Sequence, residues 1–471
     1  MTKFVFGSNP IRLVHRLGVF ELAKFAKLMD KIRSAMKPKT HNFPSATQEQ
    51  ARKSGVSRPS RMVAGWQRQE GMRIFRRLQP SRCLLGLAGD YAVLIAACAV
   101  AITLDRLRAV NDLHWAFSVP VFAIAIVFIG GVQHRLASLG HEASHYTLLK
   151  NRFANDLVAD LFCMLPIFSN VAIYRLFHMA HHQFVNDPDK DPDIINLGRS
   201  KKLHLFPMSR SQFIREALLR PILSPMTFSK YQWDYIYINL LGKGGNVYMK
   251  ANPKGDGFSK WPRLGTSLGI LLVLAESLTM NRLLANHLQS FIPVVALASL
   301  LAAAVGAAVL PDWAVYQSPF KEPYNSRVGG WFRIAFYTFG LVALTYLNSI
   351  TGYLASLYFL LLWITPISTT FPYYMLLRDM YQHSNADAGR ITNTRVFYTD
   401  WLTDWAVFVH GQDQHTPHHL FPSVPYYHLD SLHEWLKEND PEYALKVIEV
   451  HGTFQNRNGK PTIIDELTRR P

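Results

Sequence analysis

Between Ile334 and Leu377 the chain runs for 44 residues without one charged side chain. As a single helix this run would reach about 66 Å at 1.5 Å per residue, roughly twice the hydrocarbon thickness of a bilayer. Two crossings joined by a turn near Asn348 to Gly352 account for it. Four more apolar stretches approach membrane length: Leu84 to Leu104, Trp115 to Gln133, Leu264 to Met280 and Gln289 to Leu310, with Asp90 and Glu276 as acidic intrusions. One such helix could be buried inside a large soluble protein, but several in one chain argue for a bilayer. Overall composition decides less, because 49% hydrophobic and 13% aromatic residues also suit a soluble protein. The expected class is all-α, a multi-pass membrane helical bundle of four to six spans.

Charge gives that bundle an orientation. The formal net charge is +17, and the segment Met1 to Leu87 alone holds 18 Lys and Arg against 4 Asp and Glu. The positive-inside tendency keeps this end cytoplasmic. Because the excess adjoins the first apolar span, attraction to anionic lipid explains it without a nucleic-acid partner. Within it, Leu22, Phe25, Met29, Ile32 and Met36 recur at helical spacing among Lys24, Lys27, Lys31 and Arg33. That pattern reads as a helix lying on the membrane surface, with an organelle transit peptide as the alternative. Lys37 to Arg61, rich in Pro, Ser, Lys and Gln, reads as a linker. No secretory signal with a cleavage site and no solenoid repeat is apparent. The expected division is a basic cytoplasmic region 1–86, a membrane domain 87–432 and a cytoplasmic tail 433–471. Cys83, Cys98 and Cys163 lack any metal-binding spacing, so neither a disulfide framework nor an iron-sulfur cluster is indicated.

The chemistry lies in histidine. Nine of the 19 histidines fall in four short groups: His141-Glu-Ala-Ser-His145, His178-Met-Ala-His181-His182, a lone His383, and His415-Thr-Pro-His418-His419. Residues three and four apart share a helix face, so such spacings aim imidazoles at one point. Neutral imidazole is the commonest metal ligand, and nine are more than one ion can hold. Two metals are the simplest reading, bound by a histidine-rich helical cap. A shared centre needs an even number of crossings between the groups, and four separate His182 from His383. Leu157 to Tyr174, interrupted by Asp160, Pro166 and Asn170, lies between His145 and His178. It must therefore lie in the interface or dip in and return.

Other readings of the same residues compete. His141 to His145 also fits the HExxH pattern of a zinc protease, with Glu142 as base, but such a site has no use for two further HxxHH groups. A transporter or non-catalytic metal-binding membrane protein is a third class. His134 falls on the face of His141 and His145, roughly 10 and 16 Å away along the axis, which suits a cavity residue better than a ligand. Asn186-Asp-Pro-Asp-Lys-Asp-Pro-Asp193 suggests calcium, yet Pro192 and Gly198 replace the glycine and glutamate an EF-hand needs. A turn-rich loop with one Asp orienting an imidazole is the plainer account. Pro417 suits only a first helical turn, so Thr416 and Pro417 are expected to open a helix, leaving His415 on the preceding loop.

GHEASH, then FHMAHH followed by NDPDKDPD, a long apolar region, and QHTPHHLFPSVPYYHL together resemble the membrane fatty acid desaturase superfamily, from about Gln133 to Leu432. Its relatives include hydroxylases, ketolases and decarboxylases. The resemblance implies two iron ions at the cytoplasmic surface above an apolar tunnel for an acyl chain. It makes His141, His145, His178, His181, His182, His415, His418 and His419 ligands, and His383 the family's extra ligand. Gln382 stands where many members carry Glu before that histidine. The implied activity is oxygen-dependent desaturation of fatty acyl chains, with a lipid or alkyl hydroxylase or decarboxylase as the nearest alternative. Imidazole also suits zinc and copper, so iron comes from the resemblance. The electrons would come from an external ferredoxin or cytochrome docking at the cytoplasmic face, since the chain has no Cys-x-x-Cys.

Overall fold

The computed structural model describes residues 72–241, 247–250, 260–311, 314–316, 318–455 and 459–469. The surface helix expected at Leu22 to Met36 and the linker at Lys37 to Arg61 lie outside them. Among the described residues six helices are long and apolar enough to cross a membrane. Their side chains confirm the solvent they expect: Leu278 and Ile350 are 73% and 81% exposed, an arrangement that lipid rather than water stabilises.

α1 (Pro80–Val110) opens with a proline in its first turn, where a missing N–H costs nothing. It pairs with α2 (Ser118–Ser144) as the first hairpin. Next come α3 (Arg152–Ala159), continuing through a wide turn to Ile167, and α4 (Val171–Gln183). Asn170 caps α4 by accepting from the Ile173 N–H, and the left-handed Phe168 (φ 61°) reverses the path before it. The two arms are bent by 89°, so no straight crossing runs through this piece.

α5 (Lys260–Ala285) and α6 (Ile292–Val309) form a second hairpin. α7 (Ser326–Thr351) begins at the Asn325 cap and stops at Gly352, whose φ of 60° only glycine adopts freely. α8 (Leu354–Phe359) runs on through a wide turn and a break at Thr369 into α9 (Thr370–His383), completing the return crossing expected from the uncharged run.

α2 is the central element. A Cβ on Gly130 would lie 2.0 Å from Thr370 Oγ1 and 2.9 Å from the Phe371 nitrogen, so α2 and α9 pack nearly backbone to backbone. Because α2 ends at His141 and His145 while α9 ends at His383, this contact delivers both helix ends to one side. There the polar cap assembles. It contains α10 (His415–Leu420), α11 (Leu429–Asn439), α12 (Ile463–Thr468), and two parallel strands, β1 (Val396–Tyr398) and β2 (Glu449–His451), with Phe397 opposite Val450. Phe213, Phe397, Phe408, Val450, Ile463 and Leu467 share its core.

Candidate metal centre

All nine histidines singled out by spacing converge. Nitrogens of His141, His145, His178, His182 and His418 form one group, and those of His181, His383 and His419 form another, with all donor atoms inside each group within 4.8 Å of one another. His415 joins the second: its Nε2 lies 3.0 Å from Nε2 of both His383 and His419. His182 and His419 rings stack at 4.2 Å, so the two groups adjoin. Four separate stretches of chain meet here, and the bend between α3 and α4 keeps His178 on the side of His145, their Nε2 atoms 2.9 Å apart.

These spacings fit metal better than hydrogen bonding. A ring nitrogen carries either one proton or one lone pair, enough for one directed bond. Yet His178 Nε2 has Nε2 of His145 and of His182 each at 2.9 Å, and His182 Nε2 also has that of His418 at 3.1 Å. Hydrogen bonds cannot satisfy such a chain, whereas one cation attracts every lone pair at once. Neighbouring ligands of a six-coordinate ion bound at about 2.1 Å would lie about 3.0 Å apart. His141 Nε2 is likewise buried and meets no hydrogen-bond partner among the described residues. Burial, reinforced by neighbouring imidazoles, drives the pKa values of His415, His418 and His419 well below the usual histidine range, leaving them neutral at pH 7. Neutral imidazole is the form that coordinates.

Outer partners fix several of the rings. Asp191 presents both carboxylate oxygens at 3.1 Å from His181 Nδ1, and the Asn393 carbonyl lies 3.3 Å from His383 Nδ1. Each contact places a proton on Nδ1 and directs a bare Nε2 inward. The acidic loop thus supplies an orienting carboxylate. Glu142, the base of the protease reading, instead accepts from the Thr147 hydroxyl (2.8 Å) and the Tyr426 N–H (3.1 Å). That carboxylate is occupied in joining α2 to the cap. Gln382 donates to the Gln412 carbonyl at 2.8 Å, a neutral contact in place of an acid. His134 lies apart, with Nδ1 2.8 Å from the Ala406 carbonyl and Nε2 3.3 Å from Arg378.

One expectation is corrected. α10 begins at His415 with Gln414 as its cap, so His415 is helical and Pro417 is the third residue of the helix. The first turn has no intrahelical acceptors for its N–H groups, so proline is tolerated there as well as at the first position.

Spacing alone missed the scaffold charges. Arg175, one turn before His178, donates to the carbonyls of Ser144 (2.9 Å) and Ala143 (3.0 Å), to both oxygens of Asp156 (2.7 and 2.9 Å), and to Glu322. It locks the end of α2 onto α4. Asp379, four residues before His383, pairs with Lys201 and Arg378, each at 2.9 Å. Lys201 reaches Asp193 at 3.2 Å, linking α9 to the loop that orients His181. A charge set beside a histidine group at the edge of an apolar run was the available signal. A cavity of about 60 Å³, room for a few water-sized molecules, lies against both groups, bordered by His141, His178, His181, His383 and His415.

Comparison with known proteins agrees with this geometry. The family model described as "Fatty acid desaturase" matches residues 113–341 and 272–451. The dihydrorhizobitoxine desaturase of Bradyrhizobium elkanii is 23% identical over 393 residues, covering 82% of this chain and 83% of that protein. The sn-1 oleoyl-lipid 12-desaturase of Anabaena variabilis is 30% identical over 81 residues, 17% of this chain and 23% of that protein. The Delta 8-(E)-sphingolipid desaturase of Emericella nidulans is 26% identical over 128 residues, 27% and 23% respectively.

Proposed function

Because the chain belongs to the fatty acid desaturase family, and is thus an integral-membrane oxidoreductase of desaturase type, we propose that it is an oxygen-dependent di-iron enzyme that introduces double bonds into lipid-borne acyl chains. The observation that carries this reading is the gathering of nine imidazoles into two adjoining groups whose closest nitrogen pairs lie 2.9 to 3.1 Å apart. His141, His145, His178, His182 and His418 would hold one ion; His181, His383, His415 and His419 the other. Two of the three relatives above are named for lipid substrates, which favours an acyl lipid here.

A di-iron group held by these histidines would supply the oxidising power needed to remove hydrogen from an unactivated methylene, beyond the reach of any side chain. Two hydrogens leave the acyl chain, and two electrons with two protons arrive from a donor, so that one dioxygen ends as two waters. The chain's own groups orient and insulate. Asp191 and the Asn393 carbonyl hold the tautomers of His181 and His383, while Arg175 keeps the α2 histidines facing α4. The three scattered cysteines lack the spacing of an iron-sulfur site, which favours a ferredoxin or cytochrome as the source of the electrons. The basic N-terminal segment supports a cytoplasmic site.

Gas chromatography of lipids from cells producing the chain tests the reaction. New double bonds that vanish in His181→Ala and His418→Ala are expected. New hydroxyl groups or terminal alkenes would transfer the assignment to hydroxylation or decarboxylation, and no change in any lipid would overturn it.

A further inference from the structure

A second cavity lies away from the histidines. α5, α6, α7 and the bend between α3 and α4 border about 1260 Å³ of space, above the range of roughly 300–1,000 Å³ usual for small-molecule sites. Its walls are aliphatic along most of their length, as at Leu268, Leu272, Leu344 and Leu347. Charge is confined to one end, where Asp160, Glu322, Arg327 and Arg333 reach the lining. Since Glu322 contacts Arg175, this end lies on the side of the histidine groups. The shape is that of an amphiphile, with a polar head at the cap side and hydrocarbon running into the membrane.

Three of the four charged groups are engaged. Asp160 accepts from the Val171 N–H at 2.8 Å and from the Tyr324 hydroxyl. Glu322 is paired with Arg175, and Arg327 donates to the Ala307 and Leu310 carbonyls that end α6. Arg333 differs: its Nη2 is buried and meets no hydrogen-bond partner among the described residues. It lies about 10 Å along α7 from Ser326, and from it to Leu347 the helix continues for roughly 21 Å. A buried guanidinium nitrogen without an acceptor is costly in such surroundings. Asp160 is close enough to feel the Arg333 charge, but neither of its oxygens accepts from Nη2. Arginine's fork matches phosphate oxygens, and basic pockets between helices at a membrane surface bind acidic headgroups.

We propose that this cavity binds one anionic membrane phospholipid, with its phosphate on Arg333 and its acyl chains between α5, α6 and α7. The site stands independently of the metal reading, because none of the nine histidines borders it.

The test uses the full chain in detergent, loaded with phosphatidylglycerol or phosphatidylcholine bearing identical acyl chains, and native mass spectrometry to count retained lipid. Wild type is expected to keep phosphatidylglycerol at least tenfold better. Arg333→Gln should remove that preference and Arg333→Lys should preserve it. A Cβ on Gly306 or Gly340 meets no atom within 4 Å, so Gly306→Phe and Gly340→Phe start a bulky side chain into open space and should lose both lipids. Metal content of the same samples reports the fold. Equal retention of the two lipids by wild type, a preference that survives Arg333→Gln, or lipid that persists in both phenylalanine variants would overturn the proposal.

Discussion

Asp191→Asn separates the two metal groups. The carboxylate makes three kinds of contact: both oxygens lie 3.1 Å from His181 Nδ1, one accepts the Asn186 N–H at 2.9 Å, and the other accepts the Asp193 N–H at 2.9 Å. Asparagine keeps one acceptor oxygen for the capping bond from the Asp193 N–H, so the helix start should survive, while its NH2 cannot accept the Asn186 N–H. What is lost at His181 is the charge behind its ring. A hydrogen bond to a charged group contributes about 1.5–3 kcal/mol and a neutral one about 0.5–1.5. Removal of an outer carboxylate from a metal-bound histidine typically weakens binding about 10- to 100-fold, or roughly 1.4–2.7 kcal/mol. Purified protein titrated with a chelator, with residual metal read by plasma mass spectrometry, should therefore release one ion at a chelator concentration at least tenfold lower than wild type requires. The second ion should leave at the wild-type concentration, since Asp191 touches no histidine of the other group. A wild-type titration, or loss of both ions together, would refute the assignment of His181 to a separate group.

Three other perturbations probe the frame around the site. Arg175→Met leaves Asp156 buried without its cation, a loss expected to cost about 3–5 kcal/mol; Arg175→Met with Asp156→Leu should recover part of it, as measured by thermal unfolding in detergent. Gly130→Val drives a side chain into the Phe371 backbone and should destabilise by about 1–3 kcal/mol or more, whereas Gly89→Val, facing open space, should leave the melting temperature unchanged. His415, His418 and His419 have folded-state pKa values well below the unfolded value of about 6.5. The unfolded chain therefore binds more protons, and both stability and retained metal should decline as pH falls below about 6.5; a flat profile between pH 8 and 5 in metal retention would contradict burial as the cause.

The spans were legible because lipid demands a composition that local sequence displays. Their ends were less so. α2 runs past Gln133 to Ser144, because His134 and Glu142 find partners in the Ala406 carbonyl, Thr147 and Tyr426 and so interrupt hydrophobicity without interrupting the helix. α1 likewise outlasts Leu104, with Asp105 held by Ser118 and Tyr358. The histidine groups were visible because helical spacing is a local property. Arg175 and the Asp379, Lys201 and Asp193 links were not, since each depends on partners brought together by folding. Pro417 was misread because the whole first helical turn, and not its opening residue alone, can dispense with an N–H.

Metal stoichiometry of the full chain, purified in detergent and counted by plasma mass spectrometry, bears most directly on whether nine histidines form a two-ion centre. Two irons per chain are expected, with one group emptied in His181→Ala and the other in His418→Ala. One zinc per chain with no iron, or no metal retained after reconstitution, would contradict it.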